Sequence, residues 1–348
     1  MTALSSTWVV LAAVAFAVSF AGVWLVERHA LQLRLLDVPN VRSSHREPRP
    51  RGGGVGIVLG VAVALAGAAA SVTLRPDVWV LLGAAFVLAG LGLWDDVRTL
   101  GVWPRLFTQT LAAACVVAVL GGFERLPLPP PADVPLGLAG AGLAVVWLVG
   151  VTNFFNFMDG VDGLAAGQAV ISLGVLAWAI WPGPEAGVAI AVLAATAAFL
   201  IRNWSPARIF LGDVGSSFLG FLLAGLPFAA PPGTRSGLVF LVAISLTLFL
   251  LDPAATLVMR RRRRAVIGAA HRDHAYQQLV EPGAPHAAAV TVLLGVGVLL
   301  ALLAALAYQR PLLGWPTVVV ALAAFLIEWQ VADRRRRHRG SGRMAADI

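Results

Sequence analysis

An all-α bundle that crosses a membrane about eleven times is the fold class this sequence predicts, and three observations predict it. Apolar and aromatic residues make up 59% of the 348 residues, and the mean hydropathy is +0.82. Charged residues make up 13%, about half the roughly 25% of an ordinary soluble domain. Apolar runs long enough to cross the hydrocarbon core, about 20 residues each, recur along the whole chain.

The runs fall near 7–26, 54–73, 78–94, 106–122, 136–152, 163–181, 186–202, 215–231, 237–258, 287–307 and 312–331. The first has no basic residue before it and is long for a signal-peptide core, so it reads as a retained span. The expected organisation is one membrane-embedded domain over 1–333, with cytoplasmic loops at 28–53, 95–105, 153–162, 203–214 and 259–286, and a basic tail at 334–348. The Pro-rich stretch Pro127–Pro135 reads as a short stiff outer loop. The single cysteine, Cys115, lies within the fourth run and is expected to be a buried small apolar residue; alone, it excludes an intrachain disulfide.

Arginine placement orients the bundle. All 26 basic residues are Arg, so lysine Schiff-base chemistry is excluded. Alternate loops and the tail hold 22 of them, and the opposite loops hold only Arg75, Arg125, Arg235 and Arg310. The N-terminus is therefore expected outside and the C-terminus in the cytoplasm. The net charge of +8 does not indicate nucleic acid. The runs at 260–264 and 334–337 directly follow spans, where stop-transfer and anionic lipid account for them.

Five segments hold nearly all the unusual polar residues: 37–54, 94–105, 153–163, 203–217 and 271–278. Two spans separate each from the next, which puts all five on the arginine-rich side. A transport pathway would instead put ionisable groups mid-membrane or at broken helices. The pattern favours chemistry at the membrane surface over a transporter or flippase.

Each segment has its own chemistry. Asp95 and Asp96 are adjacent at the end of the third run, where they repel each other and face the negative end of a helix dipole; a bound cation would relieve both penalties. Asn153, Asn156, Asp159 and Asp162 crowd one turn with Gly160 and Gly163, and capping of the sixth helix accounts for Asp162 alone. Asp213, between Gly212 and Gly215, sits where a helix begins. It reads either as a cap or as a meeting point for phosphate and metal. His271, Arg272 and His274 share a loop; without cysteine or an evident third ligand they suit an anionic ligand better than zinc. Gly52, Gly53 and Gly54, after Arg51, allow close backbone approach to a ligand. His29, His286 and His338 suggest no specific role.

Taken in order, these segments resemble the polyprenyl-phosphate N-acetylhexosamine-1-phosphate transferase superfamily, which includes the lipid I translocase. The likeness covers about 37–278. Asp37-Val38-Pro39-Asn40-Val41-Arg42-Ser43-Ser44-His45 and His271-Arg272-Asp273-His274-Ala275-Tyr276-Gln277 look closest to the bacterial branch that initiates O-antigen or capsule synthesis. The triple-histidine loop of the lipid I enzymes is missing, and Arg49 stands where relatives usually carry a small hydroxylated residue.

The resemblance implies transfer of a sugar-1-phosphate from a UDP-sugar to undecaprenyl phosphate at the cytoplasmic face of the bacterial inner membrane, with Mg²⁺, or Mn²⁺, as cofactor. The implied roles are metal binding for Asp213, Asp95 and Asp96, and catalysis for Asp95, Asp96, Asp159, Asp162, His271 and His274. Asn153, Asn156, Asn203, Phe210, Arg51 and Arg272 are implied to bind substrate. The simplest mechanism is direct attack by the lipid phosphate, with an aspartyl-phosphate route as the alternative. The sugar and the oligomeric state stay open, a homodimer included.

Overall fold

The computed structural model describes residues 2–37, 48–265, 271–280 and 286–346, and helices carry all eleven predicted runs. In chain order they are α1 (Thr2–His29), α2 (Gly54–Ser71), α3 (Pro76–Val97), α4 (Val102–Leu120), α5 (Ala139–Phe157), α6 (Leu164–Ile180), α7 (Pro184–Asn203) and α8 (Gly212–Ala229). They continue with α9 (Arg235–Ser245), α10 (Thr247–Arg262), the short α11 (Ala275–Leu279), α12 (Ala287–Gln309) and α13 (Gly314–Ala346). Two-residue strands, β1 (Leu36–Asp37) and β2 (Arg49–Pro50), pair antiparallel. The motif positions Pro39 to His45 lie outside the described residues.

Among the described residues, nine helices are long and apolar enough to cross a membrane. Two of the eleven runs depart from a single long helix. The sixth run forms a helix of 17 residues, and the ninth divides into α9 and α10, bent by 72°. A kink has an identifiable cause, and here Gln168 of α6 supplies one. Its Nε2 donates to the Ser245 carbonyl at 2.7 Å and to Ser172 Oγ at 3.1 Å. A Cβ on Gly297 would meet Gln168 Oε1 at 2.3 Å, so only glycine leaves that amide room.

Helix boundaries follow local chemistry. Pro76 and Pro184 open α3 and α7 at the position where a missing N–H costs nothing. Gly121, at φ +91°, ends α4. α13 continues as helix through the arginines at 334–337 to Ala346. Cys115 is exposed on α4, contrary to the buried position expected of it; the helix turns that residue outward.

α8 is the centre of the bundle. Every residue from Val214 to Ala229 is buried, and α2, α3, α5 and α9 pack around it. Lipid tails are as apolar as leucine, so helices in a membrane associate through close packing rather than water exclusion. Small residues provide that closeness: a Cβ on Gly92 would sit 2.3 Å from the Asp213 carbonyl, and one on Gly54 would sit 2.3 Å from Gly215 Cα. Gly53 and Gly54 also donate backbone N–H groups to Phe210 and Leu211 carbonyls at 2.9 Å. The expectation that these glycines admit a ligand is thus corrected; they admit α7 and α8.

The geometry predicts a contrast between two glycines. Gly54→Ala should destabilise the protein by about 1–3 kcal/mol, the usual range for overpacking. Gly83→Ala, on exposed α3 surface with nothing within 4 Å, should be neutral or stabilising. Thermal unfolding in detergent would measure both, and equal melting temperatures would contradict the packing described here.

Candidate active site

The ends of α3, α5 and α7, the starts of α4, α6 and α8, and the α11 loop meet around a cavity of about 810 Å³, within the usual range for ligand sites. Its walls include Asp95, Asp96, Asp159, Asp162, Asp213, Asn153, Asn156, Asn203, Phe210, Arg51, His271 and His274. Arg272 shares the α11 loop but is not among the residues lining the cavity. Twelve of the thirteen expected site residues therefore share one space.

Asp95 and Asp96 occupy the last turn of α3 and point to different partners. Asp95 Oδ1 accepts the Leu100 N–H at 2.5 Å, and its Oδ2 lies 2.6 Å from Arg105 Nη1. Asp96 accepts the backbone N–H groups of Asp213 and Val214 at 3.0 and 3.1 Å, at the start of α8. Arg51 lies 3.8 Å from Asp96 Oδ1 and also donates to the Asp96 carbonyl. Their repulsion is relieved within the protein as well, by a guanidinium for one carboxylate and a helix N-terminus for the other.

Asp213 completes the centre. Its Oδ2 lies 3.2 Å from the same Arg105 Nη1, and its Oδ1 accepts from Asn156 Nδ2 at 2.9 Å. Asn156 also donates to Ser216 at 2.8 Å. Asn153 instead reaches Gln109 on α4 at 2.7 Å. Capping fails as an account of both doubtful aspartates. Leu211 and Gly163 occupy the N-cap positions of α8 and α6, and neither helix has a side-chain cap.

Asp159 and Asp162 occupy opposite electrostatic settings. Desolvation pushes the Asp159 carboxyl well above the usual range, and the charges of Asp213, Asp96 and Asp162 push it further. Burial also acts on Asp162, but His286 and the Ala207 N–H outweigh it and hold that carboxyl below the usual range. His286 Nδ1 lies 3.5 Å from Asp162 Oδ2, which corrects the sequence reading that gave this histidine no specific contact. Asn203 braces the neighbouring backbone: its Oδ1 accepts the Gly163 N–H at 3.0 Å and its Nδ2 donates to the Ile209 carbonyl at 2.9 Å. Arg49 donates to the Ala207 carbonyl at 3.1 Å.

The histidine loop is tied from several sides. Tyr276 donates to the Phe157 carbonyl at 2.9 Å, and burial raises its phenol pKa, keeping the group a neutral donor. A Cβ on Gly160 would meet that hydroxyl at 2.3 Å. Arg260 pairs with Asp273. Asp252 on α10, wholly buried, accepts the Ala275 and Tyr276 N–H groups.

Sequence reading missed Arg105 on the cavity wall, and Gln109, His286 and Asp252 as partners of residues around it. Asp252 had a usable signal, since a carboxylate inside an apolar run is by default a functional candidate. Arg105 had none beyond its count in the charge tally.

The donor set suits a hard cation. Two carboxylates from different helices already meet at the positive charge of Arg105. Mg²⁺ binds through one or two such groups, completed by water and substrate phosphates. Among the described residues no group of three or more His, Cys, Asp or Glu is placed to hold a metal ion.

Comparison with known proteins gives the family. Residues 78–230 match the model of the family described as "Glycosyl transferase family 4". A Bacillus subtilis protein named "Probable undecaprenyl-phosphate N-acetylglucosaminyl 1-phosphate transferase" is 30% identical over 295 residues, covering 82% of this chain and 81% of its own. A "Phospho-N-acetylmuramoyl-pentapeptide-transferase" of Lactiplantibacillus plantarum is 34% identical over 170 residues, covering 44% of this chain and 52% of its own. An Enterococcus faecalis protein of the same name is 41% identical over 109 residues, covering 30% and 34%. The chain belongs to glycosyl transferase family 4, the polyprenyl-phosphate N-acetylhexosamine-1-phosphate transferase superfamily that its motifs resemble.

Proposed function

We propose that the protein transfers an N-acetylhexosamine-1-phosphate, 6-deoxy forms included, from a UDP-sugar to undecaprenyl phosphate. UMP is released and a cell-surface glycan of the O-antigen, lipopolysaccharide or capsule type is begun. The observation that carries this reading is the convergence of Asp95, Asp213, Arg105, His271 and His274, from three separate stretches of chain, on one cavity. The arginine bias supports the cytoplasmic side for that end. The Bacillus subtilis relative, matched over most of both chains, supports this product class over lipid I formation. The pentapeptide transferases match over about half their own length or less. A flippase is disfavoured because the carboxylates gather at one end of the bundle.

The reaction joins two anions, so the site must offset their repulsion. Arg105 and Arg51 on the cavity wall supply fixed positive charge beside the diphosphate, where preorganised donors act most strongly. Asp213 and Asp95 would hold Mg²⁺ or Mn²⁺; bound there, the ion screens the diphosphate and the leaving UMP. Asp96 aligns the start of α8 through the Asp213 and Val214 amides and so sets where Asp213 points. The lipid phosphate is largely ionised at neutral pH, its second pKa being about 6. Its oxygen attacks the β-phosphorus directly, and the bond to UMP breaks. Asp159, with its raised pKa, favours the neutral form and adds less negative charge to a cavity built for anions.

Purified protein in detergent, given undecaprenyl phosphate and a UDP-sugar panel, should release UMP only with both substrates and a divalent cation. A chelator should abolish release, and added Mg²⁺ should restore it. Asp95→Asn and Asp213→Asn should each lower kcat by about 10²–10³-fold, the size expected for losing a preorganised electrostatic group. Full activity in both folded variants would remove the proposed site.

The shifted carboxyl predicts a stability profile of definite sign. Its folded pKa is raised, so ionising Asp159 costs stability above the unfolded value of about 3.9. Asp159→Asn should melt higher than the parent at neutral pH, with the gap closing as pH falls toward 4. A gap that widens on acidification would refute the assignment.

A further inference from the structure

The α11 loop carries His271 and His274 into the cavity, yet its anchor lies outside the cavity, inside the apolar run of α9 and α10. Asp252 has no exposed surface. Its Oδ1 accepts the Ala275 N–H at 2.9 Å and the Thr256 hydroxyl at 3.0 Å, and its Oδ2 accepts the Tyr276 N–H at 3.0 Å. A buried carboxylate is costly unless such donors surround it. Three conventional donors already compensate the charge.

A fourth group is the informative one. His274 Nδ1 lies 3.4 Å from Asp252 Oδ1 and has no hydrogen-bond partner of its own among the described residues. The ring is buried and sits among Phe157, His271 and Tyr276, with centroid distances of 6.2, 5.0 and 5.8 Å. The carboxylate beside Nδ1 can only accept, and a small rotation of the ring would bring an Nδ1–H onto it, while the ring lines the cavity. A carboxylate behind an imidazole selects the tautomer with the proton on the facing nitrogen and leaves the other nitrogen for a ligand.

We propose that Asp252 is a positioning residue for the transfer reaction: it fixes the start of α11 and holds His274 with Nδ1–H inward, leaving Nε2 for substrate. This rests on the transferase reading above. In that state the Nε2 lone pair is left to accept a hydrogen bond from a ligand in the cavity. The 72° bend between α9 and α10 contributes to the direction in which Asp252 faces the loop.

Two measurements test this, and they fail separately from the transferase reading. In the full chain in detergent, spectra of ring-nitrogen-labelled histidine, assigned by the signal lost in His274→Gln, report the tautomer without turnover. A protonated Nδ1 on His274 is expected, and a protonated Nε2 with bare Nδ1 would overturn the proposal. In the UMP assay, Asp252→Asn should lower kcat about 10–100-fold, as for other groups that orient a functional ligand, with a smaller change in KM for the UDP-sugar. Asp252→Asn combined with His274→Gln should be no worse than His274→Gln alone, because the two act as one unit. Multiplying losses, or parental kcat in Asp252→Asn, would overturn it. A protein without turnover on any donor would sink the transferase reading and leave the tautomer result standing.

Discussion

The crossing of α3 and α8 is the contact on which the candidate site depends. Gly92 and Asp96 lie four residues apart on α3 and so share a face. Gly92 lets the α8 backbone approach to a distance no side chain would permit, and Asp96 then accepts the first free amides of α8. That interaction satisfies groups every helix N-terminus leaves unpaired and places a negative charge where the dipole favours it. It also sets Asp213 beside Asp95, so that one guanidinium nitrogen meets both. Without the glycine the helices could not close, and without the carboxylate the Asp213 and Val214 amides would lose their acceptor.

Such a concentration of acid is unstable unless the charges are managed individually. Asp95 has Arg105, Asp96 has backbone amides and Arg51, and Asp162 has His286 and Ala207. Asp159 lacks such compensation and responds by favouring its proton. The same arrangement suits the proposed chemistry, since a site for two phosphorylated substrates needs cations near carboxylates that can share one more. The wholly buried α8 gives this group of carboxylates a rigid support.

Polar groups deep in the bundle serve this surface site from a distance. Gln168 takes up the Ser245 carbonyl at the bend, and the bend directs α10, which carries Asp252 to the start of α11. In lipid every backbone carbonyl needs a partner, so a broken helix survives only where a neighbour provides one. Gly297 leaves space for that provider. Gln168 and Asp252, within the spans, therefore read as construction that holds a loop in place.

Composition and spacing alone determined the class of this protein. Hydrophobic length requires helices, and arginine spacing with the two-span rhythm of polar segments gathers Asp95, Asp159, Asp213 and His274 at one end, because both signals are local and periodic. Tertiary structure alone decided who answers whom. It gave Asp96 the start of α8, gave Arg105 two carboxylates, and removed the capping account of Asp162 and Asp213. It turned Cys115 outward, set His286 beside Asp162, and put Gly53 and Gly54 to helix packing. These outcomes depend on pairs such as Asp96 with Val214 or Asp162 with His286, more than a hundred positions apart. No local pattern encodes such a pairing; it exists only once helices have packed and the distances between them are fixed.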